Sequence, residues 1–127
     1  MLNNSLQNRF KAGQIVCLES GNRYLYSEVI QIVSHRQLCW ARPLTVAIVA
    51  TEAINQNFPP DRESIDLRSS ADLLLPLPLF RAAYDTEVIE LLAELTDKQH
   101  TEKHFDLNGF IKQVCQENPQ QFQSTST

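Results

Sequence analysis

The stretch that most constrains the fold runs from Gly13 to Thr51, GQIVCLESGNRYLYSEVIQIVSHRQLCWARPLTVAIVAT. Val, Ile and aromatic residues are dense in it and come in short alternating or continuous runs, which is the composition of strands. Four consecutive strands fit, with little chain between them. The first, from Gln14, sets Ile15 and Cys17 on one side and Val16 and Leu18 on the other, so both faces are apolar. Ser20-Gly21-Asn22 supplies turn chemistry. The second strand, Tyr24 to Val33, is the longest, and neither of its faces is purely polar. A strong bend or bulge lets one such strand serve both sides of a small barrel. A turn at Ser34-His35-Arg36 leads to the third strand, Gln37 to Ala41, with Pro43 marking an end or an edge. The fourth is Leu44 to Thr51.

The remaining chain changes character. Thr51 to Arg62 is polar, contains Pro59-Pro60 and reads as a loop; Ser64 to Leu67 suits a short strand. Leu73 to Phe80 cannot be a helix interior, because Pro76 and Pro78 would break it. It reads as the closing edge strand of the barrel or as a strap that packs helices onto the sheet. Asp85 or Thr86 then caps a helix with Glu87 and Glu90 in its first turns, and Val88, Leu91, Leu92 and Leu95 form its apolar stripe. Asp106 caps a second helix, with Leu107, Phe110, Ile111 and Val114 on one face, ending near Asn118 ahead of Pro119. The pattern predicts an α+β chain: a small SH3-like antiparallel β-barrel over residues 10–80, followed by two C-terminal helices over 85–118. A single domain over 1–127 is the expectation, with 1–9 and 119–127 flexible.

Composition removes several function classes. Three glycines leave no phosphate-binding Gly-rich loop. Cys17, Cys39 and Cys115 are an odd, widely spaced set, which argues for reduced thiols and a cytoplasmic setting. No apolar run approaches the roughly 20 residues that span a bilayer. Net charge is −4, but five basic residues stand against two acidic ones before residue 51, and six against thirteen after it. The acidic half is the expected helical part. The basic half either is solvated surface or faces an acidic partner.

Three sets of residues are candidates for chemistry. His100 and His104 have the spacing of ligands on one helix face, but they sit in a polar connector without an HExxH motif, and surface histidines explain them. Cys39 with His35 is a possible nucleophile–base pair, yet Cys39 lies mid-strand beside Trp40, where a buried structural thiol is the simpler reading. Glu87/Glu90 and Asp61/Glu63 are explained by helix-dipole stabilisation and loop solubility. No catalytic residue, metal site or cofactor is therefore expected.

A more suggestive set is Arg23, Tyr24, Tyr26, Arg36, Trp40 and Arg42. Trp, Tyr and Arg are the residues that dominate protein-contact surfaces. Aromatics interleaved with arginines also bind single-stranded nucleic acid, through stacking and phosphate contacts. The overall acidity counts against the nucleic-acid alternative. Leu77 and Phe80 in the Leu/Pro strap are a second candidate contact surface, for a protein partner or a homodimer.

The segments GQIVCLE…YLYSEVIQIV…RQLCWARPL, with DLLLPLPLFRAAYDTEVIELLAEL, resemble a group of small, functionally uncharacterised cyanobacterial proteins over residues 10–97. The resemblance implies a cytoplasmic or stromal-type accessory protein and no enzymatic residue. The leading expectation is a non-enzymatic adaptor or assembly factor that holds a protein partner; the alternative is an RNA or single-stranded nucleic-acid-binding module.

Overall fold

The computed structural model describes residues 10–50, 62–97 and 104–120. It is α+β: one antiparallel sheet with a helix on each of its two faces. The strands are β1 (Ile15–Ser20), β2 (Arg23–Val33), β3 (Leu38–Val49), β4 (Arg62–Asp66), β5 (Leu73–Pro76) and β6 (Arg81–Ala82). Helices α1 (Asp85–Asp97) and α2 (Leu107–Glu117) follow. The strand order is β4-β3-β2-β1-β6, with β5 beside the first half of β3. The sheet is open between β4 and β6, so the expected closure is not seen.

β1 and β2 are joined through Gly21, whose φ of 60° suits the first position of a two-residue hairpin loop. A short 3-10 turn at Ser34–Arg36 reverses the chain between β2 and β3, and another at Leu77–Leu79 links β5 to β6. The expected third and fourth strands are one continuous strand, β3, running straight through Pro43. The reason is a bulge: Tyr26 pairs with Thr45 but Ser27 pairs with Pro43, so Leu44 is the extra residue. A proline is tolerated where the ladder is interrupted. A second irregularity between Val29 and Gln31 makes Ile30 the extra residue in β2.

Register sorts the side chains onto two faces. One face carries Val16, Leu18, Leu25, Val29, Cys39, Ala41, Val46 and Ile65, and it packs against Phe110 and Val114 of α2. Leu77 and Phe80 of the Leu/Pro segment complete this core. The other face carries Cys17, Tyr26, Leu44 and Ala47 against Leu91 and Leu95 of α1. Both-sided apolar strands are thus explained by a helix on each side.

Asp106 caps α2 as its sequence indicates, accepting a hydrogen bond from the Gly109 N–H at 3.0 Å. A Cβ at Gly109 would meet that carboxylate, so a larger residue there would displace the capping side chain. No described helix is long and apolar enough to cross a membrane. Of the loop predicted at 51–62 only Arg62 is described, as the first residue of β4; His100, the tail at 1–9 and residues 121–127 of the tail predicted at 119–127 lie outside the described residues.

Candidate functional site: an uncovered strip of sheet beside helix α1

Helix α1 is fixed to the sheet by a buried polar cluster. Glu87 is 2% exposed and lies in the seam between sheet and helix. Arg81, at the start of β6, grips it with two parallel bonds: Nη1 to Oε1 at 2.9 Å and Nη2 to Oε2 at 3.0 Å. The Tyr26 hydroxyl donates to Oε2, and the Tyr84 N–H donates to Oε1 at 2.8 Å, closing the helix N-terminus. Arg81 Nη2 also reaches Glu19 Oε1 at 3.3 Å. Burial alone would raise the Glu87 carboxyl, but the bonds from Arg81, Tyr26 and the Tyr84 N–H outweigh it and hold it below the usual glutamate range. Burial, the neighbouring Cys17 and the hydrogen bond to Glu87 push the Tyr26 phenol far up. Burial pushes the Cys17 thiol far up as well. A protonated thiol and phenol around an ion-paired carboxylate form a structural clamp: none of them is a poised nucleophile or base at neutral pH.

The clamp sets where α1 stops covering the sheet. Along the α1 face, the row Cys17–Tyr26–Thr45 is followed by Ile15–Glu28–Arg42, then by Gln31–Trp40–Leu74, then by Val33–Leu38–Pro76. Helix α1 packs on the first of these rows, and Ile15 of the second borders the same cluster. Among the described residues the cluster under α1 includes none of the last two rows. Trp40 is 37% exposed there and its cross-strand neighbour Leu74 is 56% exposed. Trp40 is oriented by its Nε1–H, which donates to Asp72 Oδ2 at 2.9 Å. Arg42 reaches the other oxygen of the same carboxylate at 3.4 Å. An indole, a leucine and a guanidinium are thereby held side by side on rigid strands. Fixed aromatic, aliphatic and Arg groups of this kind suit a protein contact.

The sequence-predicted residues separate. Trp40 and Arg42 meet in this strip, and Arg36 is exposed on the turn at its far end. Tyr24 is half-buried beside the clamp. Arg23 faces the opposite side of the sheet, where its guanidinium stacks 5.1 Å over the Phe110 ring. There it lines an open groove of about 690 Å³ with Glu63, His104 and Phe105. Three residues need correction: Tyr26, Leu77 and Phe80 are buried. Tyr26 is held under α1 by Glu87, while Leu77 and Phe80 turn inward at the 3-10 turn that prolines 76 and 78 promote. None of the three has a surface to offer a partner. The Cys39–His35 pair is also not formed: Cys39 is fully buried with its thiol pushed up to about 11 by desolvation, and His35 is exposed. Among the described residues no group of three His, Cys, Asp or Glu could hold a metal ion.

Sequence reasoning missed Leu74 and Asp72, which complete the strip. Both lie more than thirty positions from Trp40, and only the β3–β5 pairing brings them together.

No family model, no curated protein and no solved structure matches the chain.

Proposed function

We propose that the chain is a non-enzymatic adaptor or assembly factor that holds a protein partner on the strip centred on Trp40. The observation that carries this is the pre-ordered pair Trp40 and Leu74, exposed on rigid strands and fixed by the Trp40–Asp72 hydrogen bond. Trp40 would be the anchor, Leu74 its apolar neighbour, and Arg42 with Arg36 the polar rim.

Two further observations support an SH3-like reading of the bent sheet. The last strand, β6, follows a 3-10 turn and returns to pair with β1. The bulged β2 and β3 serve both halves of the sheet. Three free thiols suit the reducing, cytoplasmic setting proposed for the chain.

The nucleic-acid alternative draws less support. Arg23 faces the other side of the sheet from Arg42, and Arg42 is engaged by Asp72. A concentrated basic face is what phosphate binding needs.

The test is comparative affinity isolation from native lysate with the intact chain, with Trp40→Ser and with Lys112→Ser on the exposed side of α2. The reading predicts a protein recovered by the intact chain and by Lys112→Ser, and lost with Trp40→Ser. Recovery that is insensitive to Trp40, or retention on a homopolymer oligonucleotide at low salt, would count against it.

A further inference from the structure

Among the described residues, the exposed large apolar side chains fall into two groups. Trp40 and Leu74 form one; Tyr84, Ile89 and Leu92 form the other. Ile89 is 67% exposed and Leu92 is 49% exposed. They stand three residues apart on α1 and so share one helix face. That face points away from the sheet because the opposite side is committed. Leu91 and Leu95 are buried in the seam, and Glu87 is gripped by Arg81.

Charge around this face is one-sided. Helix α1 carries acidic residues at 85, 87, 90, 94 and 97 and contains no Lys or Arg. Arg81 serves Glu87 on the sheet side, and Arg62 is paired with Glu94. Asp85, one turn before Ile89, and Glu90, beside it, are exposed and form no salt bridge among the described residues. Arg62 feels Glu90 only at longer range.

We propose that this face of α1 is a second docking surface, and that its occupant is a cationic amphipathic helix of a protein partner. The apolar side of that helix lies on Ile89 and Leu92, and its lysines or arginines face Asp85 and Glu90. A second copy of the chain is disfavoured as occupant. A two-fold contact would set Asp85 and Glu90 against an identical acidic rim. The chain then has two contact surfaces, the Trp40 strip and the α1 stripe, as a scaffold joining two partners requires.

The experiment uses the full chain with isotope-labelled methyl groups and two synthetic peptides. Both peptides share one amphipathic leucine pattern; one carries lysines on its polar face and the other glutamates. The expected result is saturable perturbation of the Ile89 and Leu92 methyls by the lysine peptide only. Binding should weaken by about tenfold at high salt or in the Asp85→Asn/Glu90→Gln variant. Measured by titration calorimetry, it should disappear in Ile89→Ser/Leu92→Ser, which alters only exposed positions, and persist in Trp40→Ser. Equal binding of both peptides, perturbation centred elsewhere, or none at all would overturn the proposal. So would a concentration-dependent dimer abolished by Ile89→Ser, or Ile89 methyls already shielded from a soluble paramagnetic agent in the free chain. Failure of the Trp40 strip to capture a partner would leave these readouts unchanged, so the two readings fall separately.

Discussion

The hydroxyl of Tyr26, in the second strand, donates a hydrogen bond to Oε2 of Glu87, in the helix that crosses above it. The two residues are 61 positions apart, and their contact decides how α1 lies on the sheet. Arg81 completes the clamp from the sixth strand. Removing Glu87 leaves a guanidinium and a phenol without their shared acceptor. Glu87→Ala should therefore cost about 3 kcal/mol, tempered by the Arg81–Glu19 bond that survives. Tyr26→Phe removes one charged hydrogen bond and should cost about 1–2 kcal/mol. Urea unfolding followed by circular dichroism reads both; a cost under about 0.5 kcal/mol for Glu87→Ala would be that of an ordinary surface residue.

The clamp also fixes the sign of the pH dependence. Glu87 has a folded value below its ordinary 4.5, so its contribution is complete above 4.5 and is lost as pH falls through the lower folded value. Tyr26 and Cys17 have folded values above their ordinary 10.0 and 9.0. Their contribution is complete below about 9 and is lost as pH rises beyond it, because the unfolded chain ionises first. Thermal melts across pH should show stability declining at both ends. In Glu87→Gln the acid decline should be shallower; an unchanged acid limb would assign it to other carboxylates.

The two sides of α1 should respond oppositely to truncation. Leu91 is fully buried, and Leu91→Ala should cost about 2–4 kcal/mol. Leu92 is half-exposed at the next position, and Leu92→Ala should stay within about 0.5 kcal/mol. Equal costs would mean that the helix is rotated from the orientation the clamp imposes.

Thiol labelling should separate the cysteines. Cys17 and Cys39 are buried with raised thiols, while Cys115 on α2 is only partly covered. Native-state alkylation followed by mass spectrometry should modify Cys115 first and the others only under denaturant. Rapid labelling of Cys39 would contradict its place in the core.

Much of the element pattern was legible in the chain, for physical reasons that also explain what was not. The strands of residues 13–51 announce themselves by β-branched and apolar density, and Asp106 by its capping position. Pro43 misled: alone it signals a strand end, and only the bulge opposite Tyr26 and Ser27 allows β3 to continue. The helix stripe misled through Glu87. A hydrophobic pattern assigns Leu92 to the core and a glutamate to water, whereas Tyr26 and Arg81, both bonded to the buried Glu87, reverse both. Tyr26, Leu77 and Phe80 looked like contact residues because their type suits either a core or an interface. Trp40 was visible as a candidate, but Leu74 and Asp72 enter only through tertiary pairing.

The most direct test of the adaptor reading is photo-crosslinking from position 74, with benzoylphenylalanine in place of Leu74, in native lysate. The Trp40 strip predicts a discrete protein adduct from position 74 that falls by about tenfold in the Trp40→Ser background, as loss of a hot-spot anchor requires. The same group placed at position 112, on the opposite face, should give no such adduct. No adduct at position 74, or an adduct indifferent to Trp40, would contradict it.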